Sequence, residues 1–317
     1  MAETGTDIHK ATQLLQQGEL VAIPTETVYG LAGNALNAEA VAKIFVVKKR
    51  PQFDPLIIHI PSPDKLTMYT QNVPAMAMRL AEKFWPGPLT LVLEKKPMIP
   101  DLVTSGLSTV GVRCPNHPLT TSLLRALDFP LAAPSANPFG YVSPTTAAHV
   151  NEQLGNDLHY ILDGGACRVG IESTIVGFEN DVAVIYRIGG LSVEAIESVT
   201  GKAIIQPYST SNPKAPGQLK SHYAPAKKLI LGEMLDLLQK YPAHDTGLLT
   251  FTTDYNTPYQ YILSRKGSLE EAAQNLFAAL RSFDKMPVEI ILAEPVPDTG
   301  IGQAINDRLR RAAAEKD

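Results

Sequence analysis

Short apolar runs alternate with amphipathic stretches along the first two-thirds of the chain. Residues 20–25 (LVAIPT) read as a strand ending in a turn, and residues 38–50 (AEAVAKIFVVKKR) as an amphipathic helix. Residues 55–60 (PLIIHI) are β-branched enough to suit a buried, pleated surface. Residues 75–85 are helical in pattern and stop at Pro86-Gly87-Pro88, after which 89–95 return to strand. Further strands are expected at 109–114, 129–135, 160–164, 173–178 and 182–189. The last two follow each other with no helix between them, which implies an antiparallel pair and so a mixed sheet.

The rhythm changes at 206–226 (QPYSTSNPKAPGQLKSHYAPA), where four prolines, a glycine and many hydroxyls leave no sustained apolar period. Proline fixes φ and removes a donor, so an extended linker is expected there. Beyond it, strand and helix patterns alternate to the end of the chain. Ser268 and Glu271 open a helix with a capping-box spacing, and Leu269, Ala272, Ala273, Leu276 and Leu280 share its face. Such alternation predicts a small parallel α/β domain. The expected division is therefore 1–205, a linker at 206–226, and 227–317.

Composition agrees with two packed domains. Of 317 residues, 44% are hydrophobic and 19% charged, enough to bury two cores. The net charge of −4 argues against a broadly basic, sequence-blind nucleic-acid surface. No apolar run approaches the ~18 residues of a membrane span, and the N-terminus lacks a signal-peptide pattern, so a cytoplasmic protein is expected. Cys114 and Cys167 have no partner at zinc spacing and read as small hydrophobes.

Five polar segments stand where strands run into loops. Pro24–Gly30 (PTETVYG) sets two threonines, a carboxylate and a phenol directly after a strand. Lys48 and Arg50 end a helix and are followed by Asp54 and by His59 within an apolar strand. Thr109 and Arg113, four apart, share one strand face, and an arginine there needs an anion, either a structural carboxylate or a substrate. In 133–145, Ser135, Ser143 and their small neighbours let backbone N–H groups approach a phosphate, although Ser143-Pro144-Thr145 also reads as a helix N-cap. Glycines bracket Glu172-Ser173, and Arg187 lies on the next apolar strand. No Walker loop, dinucleotide fingerprint or nucleophile elbow is present. The residues thus support a sheet rim carrying Lys48, Arg50, Arg113, Arg187 and many hydroxyls, suited to a small anionic ligand.

In order, PTETVYGL, KKRPxxDPLIIHI, STVGVRCPNHP, PSANPFGYVSPT and GIESTIV, with HYAP in the linker, resemble the signatures of the threonylcarbamoyl-AMP synthase family in its long form. The resemblance implies an N-terminal twisted mixed sheet around a large cationic cavity (YrdC-like) and a C-terminal parallel, Rossmann-like α/β domain. It implies that ATP, L-threonine and bicarbonate or CO2 become threonylcarbamoyl-AMP and pyrophosphate. The product would pass to a tRNA threonylcarbamoyl transferase. By the resemblance, Thr25, His59, Arg113, Ala133 and Ser173 contact threonine. Lys48, Arg50, Asp54, Thr109, Ser135, Ser143 and Arg187 face ATP, with Lys48 and Arg50 catalytic. Mg²⁺ would accompany ATP, with its ligands unspecified, and His222 and Tyr223 would act in a linker lid. Asp54 stands where the family often has Asn, and Lys49 is expected to face solvent. The alternatives are an RNA-binding protein using the same cations, with weak RNA contact, and a hydrogenase-maturation carbamoyl-transfer enzyme. The latter needs zinc-binding cysteine modules that two cysteines cannot supply.

Overall fold

The structure, a computed structural model, describes residues 1–206, 215–216, 223–241 and 245–314. His222 and most of the linker lie outside the described residues. In chain order the strands are β1 (Glu3–Gly5), β2 (Val21–Ile23), β3 (Gly30–Asn34), β4 (Ile57–His59), β5 (Leu89–Glu94), β6 (Thr109–Arg113), β7 (Leu131–Ala132) and β8 (Tyr160–Leu162). They continue with β9 (Thr174–Glu179), β10 (Val182–Arg187), β11 (Ile204–Ile205), β12 (Lys228–Leu231), β13 (Thr246–Thr250), β14 (Gln260–Ile262) and β15 (Ile290–Ala293).

The first eleven form one mixed sheet in the order β1-β8-β2-β3-β7-β4-β6-β5-β9-β10-β11. The expected antiparallel pair is β9 with β10. The last four form a parallel sheet, β12-β15-β13-β14. Strands β1, β3, β11 and β14 are additions to the sequence reading. Gly30–Asn34 is too rich in glycine to announce a strand, and becomes one because β2 and β7 flank it.

Helix ends follow local chemistry. Asn37 accepts from the N–H groups of Glu39 and Ala40 at the start of Ala38–Lys48, and Lys49 ends it in the left-handed region at φ 52°. Lys49 is exposed, as expected. Ser268 caps Leu269–Phe283 by accepting from Glu271 N, but the reciprocal half of the box is rerouted: the Glu271 carboxylate takes the Ser264 hydroxyl, and Ser264 Oγ accepts from Ser268 N. Ser143 is not a cap; Thr146 caps Ala147–Leu154 instead.

The main core lies between the large sheet and its helices, with Ile44, Ile58, Leu80, Leu91 and Val112 fully or almost fully buried. A second apolar cluster joins the two parts of the chain. In it Val28, Val142 and Ile171 of the first pack with Phe277, Leu280, Ile305 and Leu309 of the second, and with Tyr223 between them. Among the described residues no helix is long and apolar enough to cross a membrane.

Candidate functional site

The neighbouring strands β4, β6, β5 and β9 bring one row of polar residues together. β4 and β6 are parallel and in register at their carboxyl ends, so His59 sits opposite Arg113. β5 runs antiparallel to β6 and sets Thr90 beside Arg113, and its parallel neighbour β9 sets Ile175 beside Thr90. The Thr90 and Ser173 hydroxyls lie 2.8 Å apart. At the far side Arg187 is the last residue of β10, just past a bulge that skips Tyr186 and shifts the register against β9. A bulge bends the strand and re-aims the next side chain. Here the Arg187 guanidinium turns to Ser173, donating from Nε to its carbonyl (3.0 Å) and from an Nη to its hydroxyl (3.1 Å).

These ends enclose a cavity lined by Val28, Arg50, Ile57, His59, Arg113, Ala133, Pro134, Ser135, Glu172, Ser173, Arg187, Pro216 and Tyr223. Eight of the expected site residues therefore meet: Arg50, His59, Arg113, Ala133, Ser135, Ser173, Arg187 and Tyr223. The enclosed space is about 50 Å³, room for one or two waters. The cavity is thus smaller than the large one expected from the family resemblance, and Pro216 and Tyr223 of the linker stand in its wall.

Each arginine already has an anion or a carbonyl. Arg50 lies 2.8 Å from Asp54 Oδ2 and donates to the carbonyls of Asp54 and Pro55. Arg113 lies 2.8 Å from Glu26 Oε1, while Glu26 Oε2 accepts from Asn116 N. The partner that an arginine on an apolar strand requires is therefore a structural carboxylate. Burial pushes the Asp54 carboxyl up, against the pull of Arg50, Lys48 and Arg187. His59 is driven down to about 3, first by burial and then by Arg113, against weaker backbone hydrogen bonds with Ile57 and Leu131, so its imidazole is neutral.

Of the other expected residues, Thr25, Lys48, Asp54, Thr109 and Ser143 lie outside the cavity wall. Lys48 is buried behind it, donating to the carbonyls of Ser135 and Asn137, both at 2.5 Å. Burial, with Arg50 adding to it, holds its amine well below the ordinary lysine value. Its place is under the 135–137 loop. Thr25 Oγ1 is spent on the Val28 carbonyl and on the N–H groups of Thr27 and Val28. Thr109 opens β6 four residues before Arg113, roughly 13 Å along the strand. Ser143 is buried and gives its hydroxyl to Glu172 Oε1 at 2.5 Å.

Glu26, Glu172 and Arg308 were missed as partners. Glu26 and Glu172 stand inside the polar segments, so their carboxylates were visible, but their pairings were not. Arg308 lies on the helix Gly302–Ala313 and donates from Nε to Glu172 Oε2 at 2.9 Å, across 136 residues. No spacing in the sequence announces that contact. Among the described residues no group of three or more His, Cys, Asp or Glu could hold a metal ion. The cations are buried in a cavity rather than spread on a face, which does not suit a nucleic-acid backbone.

Comparison with known proteins agrees with this arrangement. The Sua5-YciO-YrdC family model, described as telomere recombination, matches residues 13–189, and the threonylcarbamoyl-AMP synthase C-terminal domain model matches 191–314. The chain is 41% identical over 320 residues to a threonylcarbamoyl-AMP synthase of Pyrococcus abyssi, covering 96% of this chain and 94% of the relative. It is 42% identical over 320 residues to one of Bacillus subtilis, covering 96% and 92%. The crystal structure of P. abyssi Sua5 complexed with L-threonine superposes with a TM-score of 0.93 at 40% identity, over 99% of this chain and 97% of that one. The chain belongs to the threonylcarbamoyl-AMP synthase family in its two-domain form, and is an enzyme of the nucleotidyltransferase class that makes threonylcarbamoyl-AMP for tRNA modification.

Proposed function

We propose that the reaction runs in the cavity between the carboxyl ends of β4 and β6 and the entry to β9. The observation that carries this reading is the convergence of Arg50, Arg113 and Arg187 with Ser135, Ser173 and a neutral His59 on one enclosed space. Arg113, His59 and Ser173 would take the threonine carboxylate and hydroxyl, with Ala133 offering backbone. Arg50, Arg187 and Ser135 would take the triphosphate. Lys48 supports this by holding the Ser135 loop, and Thr25 by shaping the 25–28 turn. Asp54 and Ser143 act through Arg50 and Glu172, and Thr109 has no direct contact with the cavity.

In this reading the threonine amine adds to CO2, or to bicarbonate with loss of water, and gives a carbamate. A carbamate oxygen then attacks the α-phosphorus, the bond to the β-phosphate oxygen breaks, and pyrophosphate leaves. No covalent enzyme intermediate is needed. The protein contributes positioning and neutralisation of the charge that gathers on the phosphates. Mg²⁺ would enter as the counter-ion that ATP carries, since the carboxylate in the wall, Glu172, is already taken by Arg308 and Ser143. A carbamate decomposes in water, so closure by the linker at Pro216 and Tyr223 would protect it. The product would be consumed in the cytoplasm by a transferase acting on tRNA adenosine.

The test is pyrophosphate release from ATP and Mg²⁺ with threonine and bicarbonate present together or singly. Release should need both. Release without threonine, or without bicarbonate, would overturn the reading. In the same assay, Tyr223→Ala with unchanged product formation would remove the linker from it.

A further inference from the structure

Glu172 is out of place by charge. It lines a cavity that has to accept polyanions, and it stands next to Ser173, the residue that Arg187 grips. A carboxylate there would draw the Arg187 guanidinium to itself and away from any phosphate. Yet the donor contacts of Arg187 named above go to the Ser173 carbonyl and hydroxyl. Glu172 is occupied from its other side: Oε2 accepts from Arg308 Nε at 2.9 Å and Oε1 from Ser143 Oγ at 2.5 Å. Burial works to raise its pKa, but the charges of Arg308 and Arg187 and the Ser143 hydroxyl outweigh burial and keep it ionised.

Arg308 is itself completely buried. Its Nη1 reaches Asp307 at 2.6 Å, and its Cζ lies 4.7 Å from the centroid of the Tyr223 ring, which also stacks with Phe277 at 5.7 Å. One side chain of the second domain thus touches two residues of the cavity wall, Glu172 and Tyr223. Resting on the proposed function, we infer that Arg308 is a positioning residue: it holds Glu172 away from Arg187 so that Arg187 stays free for the triphosphate, and it seats Tyr223. A purely cohesive role for this contact would give a loss of stability with no preference between substrates. The positioning role gives a loss of nucleotide affinity that disappears when the carboxylate is also removed.

The experiment measures the ATP dissociation constant of the full chain by calorimetry, without turnover, beside KM for ATP and for threonine. Arg308→Met should weaken ATP binding at least tenfold and raise the ATP KM accordingly, with a threonine KM change below threefold. Adding Glu172→Gln to Arg308→Met should bring ATP binding back to within threefold of the parent, because no charge remains to capture Arg187. Arg308→Lys, which keeps the charge, should lie between the two. Should Arg308→Met not fold, Arg308→Gln carries the same expectations. ATP binding unchanged in the folded neutral variant, or no recovery on adding Glu172→Gln, would overturn the inference. So would neutral variants that fold only when Glu172→Gln is present, since the pair would then be cohesive alone. A parent that binds ATP but releases pyrophosphate without threonine would instead count against the proposed function.

Discussion

Arg50 shows how a cation can be both structural and available. Its Nε and one Nη are held by the Asp54 and Pro55 carbonyls and by the Asp54 carboxylate, and the guanidinium still faces the cavity, 5.9 Å from the Phe139 ring. Arg50→Ala removes a preorganised charge from the phosphate site and should lower the rate of pyrophosphate release at least ~100-fold. It also leaves Asp54 buried without its partner, which costs about 3–5 kcal/mol when one half of a buried pair is deleted. The two effects separate in Arg50→Ala with Asp54→Asn: urea unfolding should recover most of the stability, while activity should stay low. Recovery of activity to within threefold of the parent would mean that the pair serves folding only. At this scale the sequence was informative about which residues are polar on apolar strands, and silent about their partners. Arg113 with Glu26 and Glu172 with Arg308 are separated by 87 and 136 residues, and no local pattern encodes such pairs.

Among elements, those with a strong apolar period were legible: β4, β5, β6 and β10 fall inside the expected segments, and β9 overruns its own by one residue. Register was not. That His59 meets Arg113 follows from the parallel pairing of β4 with β6, and β7 covers His59 from the other side through Leu131. This burial sets a pH dependence. The folded value of His59 is about 3, below its ordinary 6.5. Between those values the unfolded chain takes up a proton that the native state does not. Stability is therefore full above pH 6.5 and falls with acid, by up to about 1.4 kcal/mol per pH unit. His149, lowered to about 4 first by burial and then by Arg281, acts in the same direction. In urea titrations, the decline from pH 6.5 to pH 5 should be shallower in His59→Asn than in the parent. Parallel declines in the two proteins would exclude the imidazole as a cause. Ser143 marks the limit of local reasoning: its sequence suits an N-cap, but the helix starts only at Ala147, where Thr146 accepts one of the free N–H groups, and the Ser143 hydroxyl donates to the Glu172 carboxylate instead.

Over the whole molecule, the second domain backs the site wall without entering it. Arg281 donates to the Val142 and Ser143 carbonyls, Arg308 holds Glu172, and Asp284 accepts the N–H groups of Ala226 and Lys227 together with the Tyr141 hydroxyl. The two parts approach closely at Gly170, at φ 81°, where an added Cβ would lie 2.4 Å from Gln274 Cα and 2.5 Å from the Ala273 carbonyl oxygen. Both contacts are backbone and cannot be relieved by a side-chain rotation. Gly170→Ala should therefore loosen the docking of Leu269–Phe283 and destabilise the protein by at least ~1–3 kcal/mol. Thermal unfolding checks the loss, and increased binding of an apolar dye checks the exposure of Val28, Val142 and Ile171. An unchanged melting temperature would show that the interface yields more easily than its geometry implies.

By itself the sequence determined the two-sheet organisation, the strands with clear periodicity and the polar segments at their ends, because these depend on neighbours within a few residues. Its motif order also carried the family. Only the tertiary structure decided which arginine meets which carboxylate, that Lys48 lies behind the wall, and that a helix near the chain's end places Arg308 against Glu172. The physical reason is that a buried charge needs a partner in space. The chain brings that partner from wherever strand register and domain docking leave one within about 3 Å.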